Sequence, residues 1–97
     1  MSVRIRFTPP ADAQFLAALE YIRREDPVAA ARFREKVERS LRRLARFAGS
    51  GRHIPEFPGL PHREVVLRPY RFFYRVERKV VWVIGVWHGA QLPKKPS

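Results

Sequence analysis

The side chains able to do chemistry gather in the C-terminal half of the chain. His88 lies in the run Val86-Trp87-His88-Gly89, Arg71, Tyr74 and Arg75 share one short segment, and carboxylates stand upstream at Glu56 and Glu64. These types suit proton transfer beside a cation: one group takes a proton, another gives one, and an arginine stabilises the negative charge that develops. Histidine changes charge near neutral pH, so His88 is the candidate base or acid. Arg71 is the candidate cation, with Tyr74 and Glu64 (or Glu56) as the remaining groups. Each also has a structural reading. His88 can end a strand and hydrogen-bond the adjacent loop, Arg71 can bond loop carbonyls or Glu64, and Tyr70, Phe72 and Tyr74 can form core.

Other chemistries are excluded by what is missing. There is no cysteine, which removes a disulfide scaffold, a Cys-ligated metal and a Cys nucleophile. His53, His62 and His88 lack metal-ligand spacing, and there is no Gly-rich phosphate loop and no Ser-His-Asp arrangement. No metal or cofactor is implied.

The charge points to an anionic partner. Lys plus Arg is 20 against 9 for Asp plus Glu, a net charge of +11 on 97 residues, and sixteen of the twenty bases are Arg. That is far beyond the roughly 2–8 that solubility asks of a small domain. Such a potential attracts nucleic acid, an acidic protein or an anionic membrane surface. Apolar residues make up 45%, too many for a disordered basic tail. No apolar run is long enough to span a membrane. Met1 to Phe7 has no signal-peptide core. The expectation is one domain over 1–97, cytoplasmic, with a loose basic tail at 90–97.

The elements that must hold these residues follow from periodicity. Val3-Arg4-Ile5-Arg6-Phe7 alternates as a half-buried strand with Arg4 and Arg6 outward. Thr8 can cap a helix opened by Pro9. Phe15, Leu19 and Ile22 form one helical stripe between about 11 and 24. Asp26-Pro27 restarts a helix over 27–48, with Ala30, Phe33, Val37, Leu41, Leu44 and Phe47 inward and Arg32, Glu35, Arg39, Arg42, Arg43 and Arg46 outward. Gly49-Ser50-Gly51 stops it. Residues 52–61 read as a loop. Arg63–Leu67 is a strand. Tyr70–Val76 alternates, with Tyr70, Phe72, Tyr74 and Val76 on one face and Arg71, Phe73 and Arg75 on the other. After a turn at 77–79, Val80–Val86 reads as a central strand buried on both faces, with Trp82 in the core. The fold class is α+β: strand, helical hairpin, then a three-stranded antiparallel meander, with the helices on one face of a single sheet. The first strand joins beside the last.

Nearly the whole chain resembles the RelE/ParE family of toxins from type II toxin–antitoxin systems. The most specific stretches are Tyr70-Arg71-Phe72-Phe73-Tyr74-Arg75-Val76 and Val86-Trp87-His88-Gly89. Asp26-Pro27-Val28-Ala29-Ala30-Ala31-Arg32-Phe33 and the segment Gly59 to Glu64 resemble the ParE branch in particular. The resemblance implies an antitoxin partner, often acidic, whose C-terminal segment wraps the toxin in a hetero-oligomer. It implies one of two targets: ParE-like members poison DNA gyrase, and RelE-like members cut mRNA on the ribosome. A third reading is a basic binding domain without toxicity.

Under the nuclease reading the resemblance implies RNA cleavage without a metal, in which a base takes the 2′-hydroxyl proton, a cation stabilises the phosphorane and an acid protonates the leaving oxygen; His88 matches the terminal histidine of some family members and Arg71 matches the strand arginine that binds phosphate. The lysines of RelE-like nucleases fall instead near Glu64 and Val66, their last-strand arginine falls near Gly89, and no tyrosine lies beyond Tyr74. A nuclease here would be of the His-Arg-Glu type. The missing lysines, the long Arg-rich hairpin and the Pro27–Phe33 stretch favour the ParE branch. Candidate nucleic-acid or partner contacts are Arg68, Arg75, Arg39, Arg42, Arg43, Arg46 and Trp87.

Overall fold

The computed structural model describes residues 3–96; Met1, Ser2 and Ser97, the last residue of the predicted tail, lie outside them. Five strands and two helices follow in the order β1 (Arg4–Phe7), α1 (Pro9–Glu25), α2 (Pro27–Arg46), β2 (Arg52–His53), β3 (Arg63–Leu67), β4 (Tyr70–Glu77) and β5 (Val80–His88). Both helices begin as the local residues dictate. Thr8 Oγ1 accepts from the Ala11 N–H at 3.4 Å ahead of Pro9. Asp26 Oδ1 accepts from Val28 and Ala29 at 3.0 and 3.2 Å ahead of Pro27. Each satisfies donors that a helix start leaves unpaired.

The strands form one sheet in the order β1-β5-β4-β3-β2. β1 pairs parallel with β5, and the other neighbours are antiparallel. The two helices pack on each other and on one face of this sheet. Between them lie Ala18, Phe33, Val37, Phe72, Val83 and Val86, all buried, with Leu44, Tyr74 and Val81 continuing the core toward the end of α2. Aromatic edges knit it together: Phe33 meets Tyr70 at 5.5 Å and Phe15 meets Phe72 at 5.9 Å between ring centres.

The α+β class and the element order agree with the sequence reading. Four details differ. The sheet has five strands, because Arg52 and His53, read as loop, pair with Glu64 and Arg63. Two residues are too few for alternation to show. The helix α2 ends at Arg46, and Phe47 leaves helical geometry (φ −131°, ψ 69°), so its ring is 57% exposed and outside the core. Val80–Val86 is not buried on both faces: Val81, Val83 and Val86 are buried, while Val80, Trp82 and Ile84 are only partly so. Helices cover one side only, and Trp82 lies on the other. Val76, assigned to the inward face of β4, is 50% exposed because it lies beyond the helices' cover.

One irregularity places the site. Phe73 pairs with Gly85 but Tyr74 pairs with Val83, so Ile84 is an extra residue in β5. This bulge shifts the side-chain phase of β5. Val83 and Val86, three apart, therefore both face the helices, and His88 comes to stand opposite Tyr70.

Candidate functional site

Arg71 and Phe73 point away from the helices, yet both are buried. The 54–62 loop supplies cover from that side: its Ile54 and His62 are buried, and its Glu56 reaches Arg71. Glu64 on β3 is diagonal to Arg71 on β4, since Val66 stands opposite Arg71. Such pairs lie within reach of long side chains. Arg71 Nε donates to Glu64 Oε1 at 2.7 Å. Its two terminal nitrogens donate to the two oxygens of Glu56 at 2.7 and 2.6 Å, a bidentate pair. Arg52, opposite Glu64 on β2, donates through Nε to Glu64 Oε2 at 2.7 Å.

Two arginines and two carboxylates thus neutralise one another. The Glu64 side chain has 0% exposure and Arg71 has 11%. The hydrogen bonds from Arg71 hold the Glu56 carboxyl down at about 2, against an ordinary 4.5. The same bonds hold Arg71 charged more firmly than a free guanidinium. The guanidinium also lies 5.2 Å from the centre of the Phe73 ring. Arg71 is spent on internal partners.

Tyr74 does not join this cluster. Its side chain faces the helices, where the hydroxyl donates to the Ala48 carbonyl at 2.7 Å and accepts from the Gly51 N–H at 3.0 Å. Burial pushes its phenol upward. Gly51 has to be glycine for this contact: a Cβ there would meet Tyr74 Oη at 2.5 Å and the Glu64 carbonyl at 2.7 Å. His88 stands opposite Tyr70 at the far end of β4, about 13 Å along the strand from Tyr74. Its Nδ1 accepts from the Ala90 N–H at 3.1 Å, and its backbone N–H donates to Gln91 Oε1 at 2.6 Å. The ring meets Tyr70 edge-on at 5.3 Å. A neutral imidazole held so carries its proton on Nε2.

Arg71 and His88 share one cavity of about 360 Å³ with Arg68 and Arg52. Trp87 is partly buried and folds its indole back over Gly85, where a Cβ would lie 2.7 Å from Nε1. Arg68 is exposed, and Arg75 pairs with Glu77 at 3.4 Å. Arg39, Arg42, Arg43 and Arg46 lie exposed along α2, with no carboxylate within 4.0 Å among the described residues. Arg52 escaped the sequence reading. Its role depends on the two-residue strand that sets it opposite Glu64, and nothing local announces that strand.

Residues 5–93 match a known family model, that of the ParE toxin of the type II toxin–antitoxin system parDE. The chain belongs to the ParE toxin family. Among solved structures, this ParE-family chain is similar in fold to one from a chromosomal ParDE toxin–antitoxin system from P. aeruginosa, with a TM-score of 0.72 over 90% of this chain and 96% of that one at 19% identity. No curated protein gives a significant match in sequence. Among the described residues no helix is long and apolar enough to cross a membrane.

Proposed function

We propose that this ParE-family toxin arrests bacterial growth in the cytoplasm by binding and inhibiting DNA gyrase, and that an acidic antitoxin neutralises it. The family match supports the gyrase target, since ParE-like members act there. The observation that carries the choice over RNA cleavage is the state of Arg71. A nuclease needs a cation free to meet the phosphorane, and each of the three nitrogens of this guanidinium already donates to a carboxylate of Glu56 or Glu64. Tyr74 is likewise filled on both its donor and acceptor sides. The net charge of +11 supports an acidic binding partner through attraction alone.

The test is pulse labelling of DNA and protein synthesis after induction in a host lacking the antitoxin. DNA synthesis falls first under this reading, and purified chain inhibits supercoiling by gyrase. His88→Ala leaves growth arrest intact. If protein synthesis falls first and His88→Ala abolishes arrest while remaining folded, the ribosome-dependent nuclease reading replaces it. Unchanged growth at high expression would leave only a non-toxic binding domain.

A further inference from the structure

The helices cover one face of the sheet, and the 54–62 loop reaches Arg71 on the other. Further along that second face, Arg6 of β1, Trp82 of β5 and Arg75 of β4 stand in one row, paired strand to strand. Their chain neighbours Ile5, Phe7, Val81, Val83 and Tyr74 pack toward the helices, so these three side chains face away from them. Arg6 is exposed and Trp82 is partly exposed. Two strand spacings separate Arg6 from Arg75, about 10 Å. In the next row of this face Arg4 pairs with Val80. The Arg4 N–H donates to the Lys79 carbonyl at 2.9 Å, which sets the exposed turn residues Arg78 and Lys79 beside β1. Arg4, Arg6, Arg78 and Lys79 have no carboxylate within 4.0 Å among the described residues. Arg75 meets Glu77 at 3.4 Å, and Glu77 is 59% exposed. An exposed pair of that length contributes little and leaves Arg75 available.

We propose that this end of the sheet holds single-stranded DNA, with one base stacked on Trp82, its flanking phosphates on Arg6 and Arg75, and the strand continuing over Arg4 and the 78–79 turn. Bases stack on an aromatic ring whatever their sequence, and cations beside the ring track the backbone. In a duplex each base face is closed by its neighbours, so only a single strand can use the indole. An acidic peptide would satisfy the cations and leave the ring without a stacking partner. A second copy of this chain would bring a like charge of +11. Among the described residues the two rows carry no amide or hydroxyl side chain to meet a 2′-hydroxyl, so DNA fits them better than RNA. Arg75 stands four residues from Arg71 on β4, about 13 Å away, so this face is separate from the Arg71 cluster. It is also independent of the gyrase and antitoxin readings.

The probe is a twelve-nucleotide oligothymidylate, titrated against the full chain at low salt beside an abasic strand of the same length and charge. The wild-type chain binds the abasic strand about tenfold more weakly, because the stack is lost while the phosphates remain. Trp82→Leu, with its fold checked by circular dichroism, loses about tenfold for oligothymidylate and almost nothing for the abasic strand. Oligothymidylate also quenches the indole emission of the wild-type chain, and the Leu variant, which keeps Trp87 alone, shows no quenching. Arg4→Gln with Arg6→Gln flattens the slope of log affinity against log salt by about 1.4, as expected for two lost phosphate contacts on a single strand. Arg32→Gln with Lys36→Gln removes the same charge from the helical side and leaves that slope near its wild-type value. An abasic strand that binds the wild-type chain as tightly as oligothymidylate would overturn the proposal, and this comparison holds even where the Leu variant is unstable. Equal flattening by the two charge pairs would overturn it too. A polyglutamate peptide displacing oligothymidylate as well as unlabelled strand does would assign the face to an acidic protein instead. An oligouridylate binding about tenfold more tightly than oligothymidylate would refute the choice of DNA.

Discussion

Replacing Arg71 by Met tests whether the four-charge cluster holds the sheet's loop-covered face together. Glu64 has no exposed side-chain surface and keeps only Arg52 once Arg71 is gone. Arg52 is itself 61% exposed and bonded through a single nitrogen. Breaking a buried pair from one side typically costs about 3–5 kcal/mol, because the remaining charge stays desolvated. A domain of this size holds about 5–15 kcal/mol in total. Urea denaturation of the purified chain at pH 7 therefore shows Arg71→Met losing a large share of its stability. Adding Glu64→Met to that variant removes the stranded charge and recovers most of the loss, since an apolar pair in place of a buried ion pair is often neutral.

Glu56→Gln is the milder variant. Glu56 is 37% exposed, so its contribution is screened to about 1 kcal/mol or less. Its folded-state carboxyl lies at about 2 against 4.5, which makes that stability fully present above about pH 4.5 and lost as pH falls toward 2. Wild type loses it over that window, and Glu56→Gln lacks that part of the acid limb. If Arg71→Met costs under about 1 kcal/mol, or if the Met–Met pair recovers nothing, the cluster is not what anchors this face.

Two further outcomes follow from contacts elsewhere. Gly51→Ala drives a methyl group into Tyr74 Oη and the Glu64 carbonyl, and thermal denaturation should show a loss of about 1–3 kcal/mol, much of it shared with Tyr74→Phe because both break the same hydroxyl contact. Asp26→Ala strips the cap from Val28 and Ala29 at the start of α2 and costs about 1 kcal/mol by the same measurement, with Asp26→Ser restoring most of it.

The signals that worked in the sequence were local. Thr8-Pro9 and Asp26-Pro27 started two helices because a capping oxygen and a fixed φ act within one turn. The stripe from Ala30 through Leu44 placed the buried face of α2, and alternation in Tyr70–Tyr74 placed Phe72 and Tyr74 toward the helices. The signals that failed needed a neighbour. Trp82 reads as core because its strand is apolar throughout, yet only one side of β5 is covered by helices. Phe47 continues the helical stripe, but the backbone turns away one residue too early to bury it.

Composition and spacing alone determined the α+β class, the order of the elements apart from β2, the positive charge and the residues of the site apart from Arg52. Tertiary structure decided what those residues are free to do. The Ile84 bulge set His88 opposite Tyr70, and β2 brought Arg52 to Glu64. The 54–62 loop brought Glu56 onto Arg71. An arginine in a strand looks the same in sequence whether it waits for a phosphate or is bound by two carboxylates. Which it is depends on contacts between residues 7 and 15 positions apart, and only the folded chain brings them within hydrogen-bonding distance.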